Sequence, residues 1–157
     1  MSAVEDRLAE LGLVVPEVVP PVAAYVPAVR HGDLVYVSGQ LPMVSGVMPA
    51  TGKVGDGHGL VPPADAQALA QVCALNGIAA VKAVIGDLDK VVRVVKLVGF
   101  VASDPSFTGQ PGVVNGASEL MGKAFGEAGV HARSAVGVVA LPLDAPVEVE
   151  LVVAVRD

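Results

Sequence analysis

The segment from His131 to Val155 contains the residues whose types and spacing suggest chemistry. Arg133 stands near its start, and Glu148 and Glu150 stand two residues apart near its end. An arginine side chain has a planar donor fork that can hold a carboxylate through two hydrogen bonds, and a glutamate can exchange protons with a water molecule. Brought together by the fold, these side chains could bind an acidic molecule and hydrolyse it.

Two predicted strands would position these side chains. Apolar runs cover residues 135–141 and 147–155, with a proline-punctuated turn between them and Arg133 just before the first run. In the second run the two-residue period of a strand puts both glutamates on one face, beside apolar neighbours. At this point two interpretations stay open. The glutamate face is either a solvated surface, with Arg133 as an ordinary surface charge, or a polar pocket at a sheet edge.

The rest of the chain predicts further strands and helices. Ser2-Ala3-Val4-Glu5 fits a capping box at the start of a short helix, whose apolar stripe includes Leu8 and Leu11 and which ends at Gly12. Prolines over 14–22 predict an extended lead-in, because proline fixes its own backbone torsion. Hydrophobic periodicity and turn residues then predict two strands, a helix, a strand and a second helix, over residues 25–29, 34–38, 62–85, 91–103 and 113–128.

Other residues of reactive types fit structural roles. Cys73 belongs to a set of small residues at three- and four-residue spacing that lets the predicted helix over 62–85 approach a sheet closely, and no base or cation activates it; the set is Ala66, Ala70, Cys73, Gly77 and Ala80. The glycines of 43–61 match neither a dinucleotide nor a P-loop motif, so this stretch is predicted to be a surface loop with His58 in solvent. His131 is interpreted as a loop residue rather than a catalytic base.

Length and composition restrict the class of protein. A chain of 157 residues predicts a single domain, here residues 23–157, preceded by an N-terminal helix and lead-in over 1–22. Hydrophobic residues make up 53% and charged residues 17%, which predicts that apolar surface meets another subunit. The net charge of −6 argues against nucleic-acid partners, and prolines in the apolar stretch over 11–29 argue against a membrane span. We expect a cytoplasmic protein.

Several short motifs together resemble the YjgF/Rid family, the reactive intermediate deaminases also labelled L-PSP endoribonucleases. Their order and spacing follow the family from Tyr25 to the end of the chain, and the fifteen-residue interval between Arg133 and Glu148 agrees with its active-site pair. The motifs are Ala24-Tyr25-Val26, Val37-Ser38-Gly39-Gln40-Leu41-Pro42, Asn115 in the first turn of a helix, Ala132-Arg133-Ser134, Leu141-Pro142 and Val147-Glu148-Val149-Glu150.

The resemblance implies a fold and an assembly. The expected fold is α+β and similar to chorismate mutase of the Bacillus type, with a mixed, mostly antiparallel sheet and two helices on one face. Periodicity alone predicts that the last two strands form a hairpin, whereas the family fold inserts the final strand between earlier ones. The family further implies a homotrimer with a cleft at each subunit boundary.

The resemblance also implies a reaction. It is the hydrolysis of a reactive enamine or imine acid, such as 2-iminopropanoate, to a 2-keto acid and ammonia, without metal or organic cofactor. Arg133 and Glu148 would be catalytic, and Tyr25, Ser38, Gly39 and Asn115 would bind substrate. Ala135 departs from the cysteine that many members carry two residues after the arginine. A trimer that binds small carboxylates or 2-keto acids without catalysis therefore stays open as the alternative.

Overall fold

The computed structural model describes residues 1–18, 21 and 24–157, which form three α-helices and five strands. The helices are α1 (Ala3–Glu10), α2 (Pro63–Ile85) and α3 (Gln110–Phe125), and the strands are β1 (Ala28–His31), β2 (Leu34–Gln40), β3 (Val91–Ala102), β4 (Ala132–Val138) and β5 (Val147–Val155). Short 3₁₀ helices occupy Leu88–Lys90, Gly126–Gly129 and Pro142–Asp144.

The five strands form one sheet in the order β1-β2-β5-β3-β4. Neighbouring strands are antiparallel except β3 and β4, which are parallel and joined through α3. The hairpin that periodicity predicts for the last two strands is therefore wrong, and the insertion implied by the family is confirmed. In the centre of the sheet both edges of β5 are paired. At the border of the sheet, one of its edges would be left unpaired.

The helices α2 and α3 pack on the same face of the sheet. The alternate residues of β5 from Val147 to Val155 are buried beneath them. The predicted small-residue face of α2 is also buried, and a Cβ added to Gly77 would lie 2.8 Å from Cδ1 of Leu151. This close approach explains the small residues, and it confirms the α+β layering expected from the sequence.

The N-terminal helix packs against this body through Val4 and Leu8, which are buried. Its predicted capping box is present, with Ser2 and Glu5 each accepting a hydrogen bond from the other's backbone amide. Leu11 is the C-cap and 43% exposed, so it does not extend the buried stripe. The predicted extended lead-in shows neither helix nor strand over residues 14–18, and its residues 19, 20 and 22 lie outside the described ones.

Three sequence-based boundaries are wrong in ways that affect the site. Strand β4 begins at Ala132 rather than at Ala135, so Arg133 lies within it: the backbone ladder with β3 accepts polar residues as readily as apolar ones. Helix α3 begins at Gln110, which places Asn115 in its second turn. Strand β1 begins at Ala28, so Tyr25 precedes it.

The stretch 43–61 is not entirely a surface loop. Val54 and Val61 are buried, and Val54 forms isolated bridges with Val61 and Ser103. Its amide donates to the carbonyl of Ala102 at 2.7 Å, and its carbonyl accepts from the amide of Asp104 at 2.9 Å. The middle of this stretch thus extends the core beyond the end of β3, while His58 is exposed as predicted.

Within the described residues, α2 is the one helix long and apolar enough to cross a membrane. Of its most apolar window, 61% is buried inside the fold. A buried core helix has the same length and composition, so this feature is weak evidence for a membrane span.

Candidate functional site

The face of the sheet opposite the helices is open and carries the two glutamates of β5. Glu148, Glu150 and Val152 lie together on this face, as the strand period predicts. A shallow cavity of about 320 Å³ lies on this face, lined on its polar side by Ser38, Lys96 and Glu150. Half-exposed apolar side chains, among them Val29 and Tyr36, border it.

A glycine on the neighbouring strand leaves room for Glu148. A Cβ added to Gly39 would lie 1.8 Å from Oε1 of Glu148, so the carboxylate occupies the space that any other side chain would need. Burial, and secondarily the negative charge of Glu150, raises the pKa of the Glu148 carboxyl above its ordinary value. The group is therefore better able to hold a proton near neutral pH than an exposed glutamate.

Ser38 precedes Gly39 on β2 and bonds to the segment before β1. Its hydroxyl donates to the carbonyl of Val26 at 2.7 Å, and its amide donates to the carbonyl of Pro27 at 2.9 Å. These bonds fix the chain just after Tyr25, whose side chain is 45% exposed. We refer to Ser38, Gly39 and Glu148, with the adjoining Tyr25, as the glutamate group.

Arg133 lies on the edge strand β4 and points to the helix side of the sheet. It pairs with Leu97, which pairs in turn with Leu151, and both leucines are buried under the helices. Its Nη1 donates to Oδ1 of Asn115 at 2.7 Å and to Oγ of Ser118 at 3.3 Å, both on α3. The structure thus brings the predicted arginine and asparagine into contact.

His131 extends this contact, since its Nε2 lies 2.9 Å from Oγ of Ser118. Asn115, Ser118, His131 and Arg133 are called the arginine group below. Sequence reasoning did not single out Ser118, although its three-residue spacing from Asn115 places both side chains on one face of a helix. His131 precedes β4 as a loop residue, as predicted.

Within one chain the two groups do not meet. Glu148 pairs with Phe100, three residues along β3 from the partner of Arg133, and this odd offset puts the two side chains on opposite faces of the sheet. Strand β3 also lies between their strands, which separates the two backbones by about 10 Å in the direction of the hydrogen bonds. A site that uses both residues must therefore draw them from two chains.

The described residues contain no cluster of three His, Cys, Asp or Glu side chains that could hold a metal ion. Cys73 is free and buried. Burial, and then the charge of Glu148, raises the pKa of its thiol well above the ordinary value. The thiolate needed for nucleophilic chemistry is thus disfavoured, in agreement with a packing role.

A family model with the description "YjgF/chorismate mutase-like, putative endoribonuclease" matches residues 5–155. The chain belongs to this YjgF family. The resemblance inferred from the motifs is thereby confirmed, and so is the chorismate mutase-like fold.

Relatives of the YjgF family resemble the chain over nearly its whole length. Protein TCP17 of Trypanosoma cruzi is 46% identical over 153 residues, covering 96% of this chain and 92% of TCP17. The crystal structure of Atu1372 from Agrobacterium tumefaciens, a protein of unknown function, is 49% identical with a TM-score of 0.90, covering 98% of this chain and 92% of that one. E. coli TdcF with bound serine is 26% identical with a TM-score of 0.57, covering 91% and 94% of the two chains.

Proposed function

We propose that the protein hydrolyses reactive 2-imino or 2-enamino acids to 2-keto acids and ammonia, in clefts between the subunits of a homotrimer. The observation that carries this proposal is the pre-oriented guanidinium of Arg133. Within the part of the chain that the structure describes, Arg133 donates side-chain hydrogen bonds through Nη1 alone, so its Nε and Nη2 hydrogens remain available for an acidic ligand. A guanidinium edge of this kind takes a carboxylate through two parallel hydrogen bonds.

Glu148 supplies the proton chemistry in this proposal. As a water oxygen adds to the carbon of the protonated imine, the carboxylate accepts a proton from the water and the electron pair of the C=N bond moves to nitrogen. The carboxyl then returns its proton to the amino group of the resulting carbinolamine. The C–N bond breaks and ammonia leaves as the C=O bond forms, while the hydroxyl proton passes to the carboxylate, which releases it to solvent. The raised pKa of Glu148 suits a group that must both accept and donate a proton near neutral pH.

The remaining members of the two groups hold the substrate. Asn115 fixes the orientation of the guanidinium at 2.7 Å. Gly39 leaves the space that the carboxylate of Glu148 occupies. Ser38 holds the segment that follows Tyr25, and the exposed Tyr25 would wall the cleft. None of these steps requires a metal or an organic cofactor.

The shape of the single chain supports a site shared between subunits. Arg133 and Glu148 point to opposite faces of the sheet, and the face that carries Glu148 is open, with half-exposed Val29 and Tyr36 beside its polar side chains. A second copy placed on that face could bring its own Arg133 to the Glu148 of the first. A closed ring of three copies would then contain three equivalent clefts.

The direct test is the release of ammonia and pyruvate from freshly generated 2-iminopropanoate. We expect acceleration over the uncatalysed rate, a loss of about 100-fold or more in kcat/KM for Arg133→Ala, and a fall in kcat of about 100-fold or more for Glu148→Gln. Arg30→Ala and Glu127→Gln remove the same charges outside both groups, at a partly exposed and an exposed position, and should leave the rate unchanged. Equal rates with and without the wild-type protein would refute the proposed reaction.

A second function, binding without turnover, is favoured by one departure of the sequence. Position 135 is alanine, where many family members carry cysteine, and TdcF, a related chain, holds bound serine in its structure. In this alternative the protein would bind small carboxylates or 2-keto acids at Arg133. Saturable binding of pyruvate that is lost in Arg133→Ala, together with an unchanged rate of imine decay, would support it over hydrolysis.

The family description names an endoribonuclease, but the charge of this chain does not favour the binding of RNA. With a net charge of −6, the protein offers little electrostatic attraction for phosphates. We therefore expect no salt-sensitive affinity for RNA.

A further inference from the structure

A chain of hydrogen bonds runs from the guanidinium of Arg133 into the turn that connects α3 to β4. Arg133 contacts the hydroxyl of Ser118 at 3.3 Å, the hydroxyl contacts Nε2 of His131 at 2.9 Å, and Nδ1 of His131 contacts the carbonyl of Gly129 at 2.6 Å. Ser118 and His131 are partly buried, whereas the carbonyl belongs to a buried residue. This series of hydrogen bonds therefore ends on rigid backbone inside the fold.

The direction of these bonds follows from the last acceptor. A carbonyl oxygen can only accept, so Nδ1 of His131 carries the hydrogen and donates to Gly129. In the neutral ring Nε2 then accepts, and the hydroxyl of Ser118 donates to it. The oxygen of Ser118 keeps a lone pair that accepts from Arg133. Each group in the hydrogen-bond network therefore has a defined role as donor or acceptor.

The end of this chain is fixed by close packing. A Cβ added to Gly129 would lie 2.1 Å from the carbonyl oxygen of Met121 in α3. The turn thus lies directly against the helix, and the carbonyl of Gly129 has little freedom to move. The hydrogen-bond network thus connects a rigid backbone acceptor, the carbonyl of Gly129, to the edge strand β4, which carries Arg133.

We propose that Ser118 and His131 are positioning residues that hold the guanidinium of Arg133 in the orientation that receives a carboxylate. The proposal rests on the proposed function only for its kinetic test, because the orientation of Arg133 can also be measured in the absence of substrate. Asn115 accepts another hydrogen bond from the guanidinium, so the guanidinium is held from two points on α3. His131 acts through Ser118 and touches no substrate.

The kinetic test separates binding from chemistry. Ser118→Ala removes one acceptor of the guanidinium, and we expect KM for 2-iminopropanoate to rise roughly five- to tenfold while kcat stays within about twofold, because Arg133 binds the substrate carboxylate equally in the ground and transition states. Ser118→Thr keeps the hydroxyl and should restore KM. His131→Leu should raise KM in the same way, whereas His58→Leu removes an exposed histidine and should not.

A double-mutant cycle distinguishes a connected network from separate effects. Because His131 acts only through Ser118, the double variant Ser118→Ala/His131→Leu should have the KM of Ser118→Ala alone. Effects that multiply in the double variant would contradict the proposal, as would a fall in kcat without a change in KM.

A spectroscopic measurement tests the geometry independently of turnover. In isotope-labelled protein, the Nε–H signal of Arg133, assigned by its disappearance in Arg133→Lys, should report a rigid side chain in the wild type and a more mobile one in Ser118→Ala and His131→Leu. An equally rigid signal in all three proteins would overturn the proposal. If the wild type neither hydrolyses the imine nor binds pyruvate, the proposed function fails, and this signal still decides whether the network positions Arg133.

Discussion

At the scale of single residues, the contact between Gly39 and Glu148 gives the sharpest prediction. A methyl group at position 39 would meet the carboxylate oxygen, which is the far end of a flexible side chain, so Gly39→Ala should displace Glu148 at little cost to folding. We expect kcat for imine hydrolysis to fall by about 10- to 100-fold, since displacement of about 1 Å is enough to disrupt a reacting geometry. Thermal unfolding should change little.

The matched control is Gly112→Ala, because a Cβ at Gly112 has no neighbour within 4 Å. This variant should retain full activity. A Gly39→Ala protein with unchanged kcat would show that the position of Glu148 does not matter for turnover.

The sequence indicates candidate site residues more completely than it indicates their neighbours. A family resemblance selects Arg133 and Asn115, and the structure brings them to 2.7 Å. Ser118 and His131 carry no motif. They meet only because the turn after α3 folds back on the helix, and no periodicity in the sequence encodes that turn.

At the scale of elements, the contact between α2 and α3 depends on a glycine. A Cβ at Gly116 would lie 1.9 Å from the backbone carbonyl oxygen of Gln67, and neither helix backbone can move aside easily. We expect Gly116→Ala to lower the free energy of unfolding by about 3 kcal/mol through overpacking. Urea denaturation at a fixed protein concentration measures the change.

Gly122→Ala provides the control within the same helix, because a Cβ there has no neighbour within 4 Å. Alanine is the better helix former, so this variant should gain up to about 1 kcal/mol. Equal destabilisation by both substitutions would mean that helix propensity, and not the contact between the helices, determines the outcome.

The docking of α1 gives a pH-dependent prediction. Oε1 of Glu5 lies 2.5 Å from Nζ of Lys82 on α2; this hydrogen bond, followed by the one from the amide of Ser2, lowers the pKa of Glu5 from 4.5 to about 2. Because the folded value is the lower one, the stabilisation is present above pH 4.5 and is lost as the pH falls through about 2. The pair is partly exposed, so its contribution is modest.

The expected costs follow from the contacts that each substitution removes. Glu5→Gln keeps the capping box and loses the ion pair, so we expect a loss of about 0.5–1 kcal/mol at pH 7 that disappears near pH 2, whereas Glu5→Ala loses both contacts and should cost about 1–2 kcal/mol. Glu10→Gln, at the exposed end of α1, is the control. A constant difference between Glu5→Gln and the wild type across this pH range would contradict the assigned pKa.

Element types were predictable where one physical signal dominates. The apolar period of β5 and the small residues of α2 each specify a buried face. The order of the strands was not predictable from periodicity. Adjacency in sequence favours a hairpin of β4 and β5, whereas β5 is stabilised by pairing on both edges, between β2 and β3. The start of β4 was missed for a related reason, since Arg133 joins the sheet through its backbone although its side chain is charged.

At the scale of the whole molecule, the open sheet face accounts for the apolar composition of the chain. Val29, Tyr36 and Val136 are each about half exposed, at 51%, 48% and 44%, on the sheet rather than scattered over the surface. Composition alone predicted that apolar surface meets another subunit, and the structure shows where such surface lies. If the proposed homotrimer forms through this face, a charge there, as in Val152→Asp, should dissociate it in sedimentation measurements, while Val14→Asp on the exposed lead-in should not.

The opposite orientations of Arg133 and Glu148 allow a test of the shared cleft itself. Arg133→Ala and Glu148→Gln should each be inactive, yet chains of the two variants assembled together would form some clefts that receive Arg133 from one chain and Glu148 from its neighbour. With equal amounts and random assembly into a closed ring, about a quarter of the clefts would be intact, so about a quarter of the wild-type rate should return. Mixing Arg133→Ala with the double variant supplies no intact Arg133 and should restore nothing. Failure of the first mixture to regain activity, with mixed assembly verified by differently tagged chains, would mean that the two residues do not serve the same cleft.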